Sequence, residues 1–190
     1  NIPIKKKKKM ASGINFNEDT DMSNFSMRTL MGTSAMKVIS KYGIQEEPYT
    51  YRRYLRINTE ILGQVITNAT GYSLAEYMEE KLWKKIDAAH DAYWTLSNGT
   101  ELAMGGLSIS LRDYARFARL YLKEGNYNGE KVLEKSWGKD SMDISEEYAK
   151  PGANNDAYNA IGYGYQWWIP EGEDGEFMAI GVYGQWIYVN

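Results

Sequence analysis

Apolar residues at Ile57, Ile61, Leu62, Val65, Ile66 and Ala69 recur at spacings of three and four, which predicts one face of a buried helix. Gly71 follows where a left-handed C-terminal cap is needed. Ser73 with Glu76 three positions later has the pattern of a capping box opening a second helix, and Ser110 with Asp113 repeats that pattern ahead of a helix over Leu111 to Lys123, closed by Gly125. Upstream, Asn15 to Ser26 is polar and reads as a loop. Met27 to Tyr42 carries Leu30, Met31, Met36, Val38 and Ile39 and reads as a helix ending before Gly43. Glu134 to Asn159 shows no usable period. The aromatic and β-branched residues of Tyr163 to Ile169 and Phe177 to Val189 predict strands, with Tyr183-Gly184 as a turn or bulge.

Helices in the middle and strands at the end imply an α+β or α/β unit, read here as a single domain over residues 1–190. A sheet of two or three strands would leave long unpaired edges, so further sequence beyond Asn190 is expected.

Composition narrows the chemistry. With 43% hydrophobic and 25% charged residues, the chain is suited to a packed core rather than to disorder. The absence of Cys removes thiolate nucleophiles and cysteine-ligated zinc, and a lone His90 leaves no His cluster for a metal, so neither metal nor cofactor is expected. A net charge of -3 offers no general attraction to nucleic acid, and no stretch is long and apolar enough to span a membrane. Compartment and oligomeric state are not legible. The run Lys5 to Lys9 reads as a solvated, frayed end.

Two Ser-x-x-Lys strings are present, Ser34 to Lys37 and Ser136 to Lys139. A serine and a lysine one turn apart on a helix can form a nucleophile and its base, but strings this loose arise by chance, and both are read as ordinary helix residues. His90 is read as a loop residue, with no carboxylate at an interpretable spacing, and Asp87 and Asp91 do not make a metal site. Tyr163, Trp167 and Trp168 are expected to fill a core rather than form a binding platform.

The string from Pro48 through Tyr54, Leu55, Arg56, Ile57 and Asn58 to Leu62-Gly63 resembles the segment carrying the second motif of serine β-lactamases, penicillin-binding proteins and related esterases. Thr70-Gly71-Tyr72-Ser73, Lys81-Leu82-Trp83, Gly105-Gly106, Asp113 to Phe117, Gly162 to Trp168 and Gly181 to Gln185 follow in the same order as in that family. The subgroup most similar is that of class C-like esterases and 6-aminohexanoate-dimer hydrolases. Met10 to Ile14 matches a family turn that normally follows an apolar helix, where this chain has lysines.

The resemblance implies a partial β-lactamase/transpeptidase-like fold and cleavage of a small ester or amide through an acyl-serine intermediate. It further implies that the family's own Ser-x-x-Lys would lie upstream of Asn1, which leaves the 190 residues inactive. Tyr54 takes the place of the motif-two proton relay, and the Val182 N–H that of an oxyanion-hole donor serving the same cleft. Arg56 stands where the family has Asn or Ser, and suits a carboxylate-bearing substrate. Ala179 stands where the third motif has Lys or His, and with Gly181, Tyr183 and Gln185 completes the implied substrate-binding set. The departures at Arg56 and Ala179 also suit a competing reading, a non-catalytic binding or scaffold protein that keeps the fold.

Overall fold

A computed structural model describes residues 4–153, 160–172 and 175–190. The chain divides into two compact units, Asn1–Glu76 with Tyr93–Leu107, and Tyr77–Ala92 with Ser108–Asn190.

The first unit holds helices α1 (Ile4–Lys8), α2 (Glu18–Leu30), α3 (Ala35–Ile39), α4 (Arg56–Thr70) and the start of α5 (Leu74–Met78), then short strands β1 (Tyr93–Trp94), β2 (Leu96–Ser97), β3 (Thr100–Glu101) and β4 (Leu107–Ser108). Its core gathers Ile14, Phe16, Met22, Phe25, Val38, Ile39, Leu55 and Ile57. The polar stretch read as a loop is helical in α2. Asn17 caps it by accepting from the Asp19 and Thr20 N–H groups, three acidic residues occupy its first turn, and Met22, Phe25 and Thr29 are buried on its inner face. The single helix expected over Met27 to Tyr42 is broken, because Gly32 adopts φ 92° and Ser34 caps a new start.

The lysine run is not a frayed end. It forms α1, packed on α4, with Lys7 and Lys9 buried. Burial lowers the Lys7 ammonium pKa, while long methylene stems give lysine the means to cover apolar surface.

Helix α4 is present as predicted, with Gly71 at φ 76° as its left-handed cap. Its buried face is rotated from the apolar stripe, however. Ile57, Asn58, Glu60 and Gly63 are buried, while Leu62 and Val65 are half-covered and Ile66 is exposed. Gly63 sets this face, since a Cβ there would lie 2.3 Å from that of Ala103. Glu60 accepts from the Met104 N–H at 3.2 Å, and burial raises its carboxyl pKa. The Ser73 and Glu76 capping box forms in both directions, at 2.9 and 3.2 Å.

In the second unit, a π-helical turn (Glu79–Trp83) and a 3-10 turn (Lys84–Ile86) precede α6 (Leu111–Leu122), the ribbon β5 (Asn126–Tyr127) and β6 (Glu130–Lys131), and α7 (Lys135–Met142). Strands β7 (Gly162–Tyr163), β8 (Trp168–Ile169), β9 (Phe177–Ile180) and β10 (Trp186–Val189) form an antiparallel sheet ordered β10-β9-β8-β7. Ile187 pairs with Ala179 and Tyr188 with Met178. Tyr163 to Ile169 is therefore a tight hairpin rather than one strand, turning where Gly164 donates to the Trp167 carbonyl. The region without a readable period contains α7 and a 3-10 turn (Glu147–Ala149), and its residues 154–159 lie outside the described set. Helix α6 packs on β10, placing Phe117 and Tyr121 against Trp167, Phe177, Ile187 and Val189. The aromatic segment is core: Tyr163, Trp167 and Trp168 are 2%, 4% and 3% exposed.

Candidate functional site

In the first unit Tyr54 lies half-buried in the extended stretch that enters α4. The backbone on either side of it is pinned. Before it, the Arg53 N–H donates to the Met10 carbonyl at 2.9 Å, and the Arg53 guanidinium meets Glu46 at 2.6 Å. After it, Leu55 is buried and its carbonyl accepts from the Asn58 N–H. The first turn of α4 lacks a side-chain cap from Leu55, and Glu18 at the start of α2 supplies the missing acceptor from a distant helix. Its two oxygens take the Arg56 backbone N–H at 2.7 Å and the Arg56 Nε at 2.6 Å.

Arg56 is thus half committed. Its Nε serves Glu18, while its terminal nitrogens make no hydrogen bond among the described residues, and the side chain is 41% exposed. Asn58, two positions on, is fully buried with its amide on the Met10 sulfur at 3.5 Å.

In the second unit, β9 and β10 are joined by a turn in which Gly181 N–H donates to the Gln185 carbonyl at 2.8 Å and Gly184, at φ 81°, donates to the Gly181 carbonyl at 3.1 Å. Gln185 folds back over this turn and its Oε1 accepts from the Tyr183 N–H. A Cβ on Gly181 would lie 2.3 Å from the Gln185 side chain, so a larger residue there would displace that exposed side chain from the turn. Val182 and Tyr183 form the tip, 82% and 93% exposed, and the Val182 N–H donates to no described residue. The Ala179 side chain packs against the cluster that includes Trp167 and Phe177.

Ser34 accepts from the Lys37 backbone N–H at 3.4 Å, the behaviour of a helix cap rather than of a nucleophile paired with an ammonium. His90 departs from expectation because its Nδ1 lies 3.2 Å from Asp113 Oδ2. Asp113, 0% exposed, also accepts from the Ala89 N–H at 2.8 Å, the Ser110 hydroxyl at 2.6 Å and Arg116 at 2.5 Å. The Ser110 hydroxyl is the leading cause of a carboxyl pKa held well below the usual range, with Ala89, His90 and Arg116 adding to it. The capping pattern announced the Ser110 contact; Arg116 is one helical turn further on, whereas Ala89 and His90 come from a loop more than twenty positions away. Among the described residues no group of three or more acidic or histidine side chains is placed to hold a metal.

A model of the family described as Beta-lactamase matches residues 9–190. The 6-aminohexanoate-dimer hydrolase of Paenarthrobacter ureafaciens is 31% identical over 140 residues, covering 73% of this chain and 36% of the relative. The structure superposes with a TM-score of 0.80 on a Bacillus anthracis protein provisionally assigned as a 6-aminohexanoate-dimer hydrolase, at 27% identity, covering 97% of this chain and 51% of that one. An octameric penicillin-binding protein homologue from Pyrococcus abyssi matches in fold, with a TM-score of 0.67 at 17% identity over 93% of this chain and 45% of its own. The chain therefore spans between about a third and about half of the length of these three proteins.

Proposed function

The chain belongs to the β-lactamase family of serine β-lactamases and penicillin-binding-protein-like hydrolases, and from that premise we propose that it is part of an enzyme cleaving an amide or ester through an acyl-serine intermediate. The observation that supports this reading is the family match over residues 9–190; the resemblance assigns Tyr54 the proton-relay role, and hydrogen bonds hold the backbone on both sides of it. A serine from sequence outside the 190 residues attacks the carbonyl carbon. Its hydroxyl proton passes through the Tyr54 phenol and a neighbouring lysine to the departing nitrogen or oxygen. Water then adds to the acyl-serine, releasing the acid and returning the proton to the serine.

For the substrate we propose a linear amide bearing a free carboxylate. The relatives named for the 6-aminohexanoate dimer support this class, and the unused terminal nitrogens of Arg56 are suited to a carboxylate. The competing reading, a scaffold without catalysis, draws on the apolar environment of Ala179.

A fluorophosphonate probe followed by intact mass separates these. The longer polypeptide is expected to gain one adduct on an upstream Ser-x-x-Lys serine, with Tyr54→Phe slowing labelling about 10²- to 10⁴-fold. The 190-residue chain is expected to stay unlabelled. An adduct on Ser34 would overturn the assignment, and a longer protein that never labels would favour the scaffold.

A further inference from the structure

In the second unit, a cleft of about 340 Å³ lies between the C-terminal turn of α6, helix α7 and strand β9. That volume is at the lower end of the roughly 300–1,000 Å³ typical of small-ligand sites. Tyr121, Met142 and Phe177 give it an apolar floor, and Phe177 is itself buried in the sheet's core. The polar groups sit at the rim. Lys135 meets Glu124 at 2.7 Å, so those two charges offset each other. Lys139 makes no ion pair among the described residues, and the Ser136 hydroxyl lines the same opening. The result is an apolar slot with one uncompensated cation at its mouth. The Ser-x-x-Lys string at residues 136–139, which the proposed reaction leaves unused, thereby acquires a different role.

We propose that this cleft binds a small monocarboxylate with a single apolar ring or short chain, the tail on Tyr121, Met142 and Phe177 and the carboxylate on Lys139 and Ser136. Charge complementarity selects the anion: a neutral ligand would leave the Lys139 ammonium without a partner, and a cation would be repelled by it. The site lies wholly within the second unit and does not depend on the acyl-serine reading.

The test uses the 190-residue chain with 4-phenylbutyrate and its uncharged analogue 4-phenylbutyramide, followed by amide NMR shifts at Ser136 to Met142 and by calorimetry. The acid is expected to bind at low salt with a dissociation constant near or below about 1 mM, and the amide about tenfold more weakly. Lys139→Gln is expected to remove that preference, and Ser136→Phe, which places a ring in the mouth at an exposed helix position, to abolish binding of both. Equal affinity for acid and amide, an unchanged constant in Lys139→Gln, or shifts confined to other regions would each overturn the proposal.

Discussion

Substituting alanine for glycine in a helix should have opposite signs at Gly63 and Gly138, and the local geometry sets the size of each effect. Both lie inside helices, where alanine is favoured over glycine by about 0.8–1 kcal/mol. At Gly138 a new methyl meets no atom within 4 Å, so the full gain is expected. At Gly63 it would lie 2.3 Å from the Ala103 Cβ and 3.1 Å from Leu74 Cδ1, where ordinary contacts begin at 3.4 Å. Relief requires about an ångström of movement by the 102–105 loop. That loop is tied by Trp94 Nε1 to the Leu102 carbonyl at 2.7 Å, by Gly105 N–H to the same carbonyl and by Met104 N–H to Glu60. Overpacking of this kind costs about 1–3 kcal/mol, which exceeds the propensity gain and leaves a net loss of about 1 kcal/mol. Native-state amide exchange reads α4 and α7 separately. Gly63→Ala should speed exchange in α4 about fivefold, while Gly138→Ala should slow it in α7 by a similar factor. Slower exchange in α4 of Gly63→Ala would refute the argument that Ala103 makes this glycine compulsory.

Two carboxylates should give opposite pH slopes. Burial raises the Glu60 pKa, so its contribution to stability falls as pH rises from the unfolded value of about 4.3 through the folded one, and Glu60→Gln should remove that slope in urea titrations. The Asp113 pKa is depressed, so its stabilisation is complete above an unfolded value of about 3.9 and is lost as pH falls toward the folded one; Asp113→Asn should abolish this acid dependence. Leu120, fully buried with Ile86 and Tyr127, should cost about 2–5 kcal/mol when cut to alanine, measured by chemical denaturation.

Local stereochemistry was readable without coordinates. The Ser73–Glu76 and Ser110–Asp113 pairs, the left-handed Gly71 cap and the turn at Tyr183-Gly184 involve groups within a few positions of one another, so their spacing already contains the geometry. The order of motifs along the chain likewise announced the β-lactamase family. What escaped depended on partners distant in sequence. Only tertiary packing made α2 a helix resting on Met22 and Phe25, buried Lys7 and Lys9, turned α4 toward Ala103, and drew Ala89 and His90 onto Asp113. It also let Glu18 complete the first turn of α4 while holding Arg56. A side chain's period states which face it shares. Which face is covered, and which polar group is satisfied there, is decided by surfaces that meet only when the chain has folded.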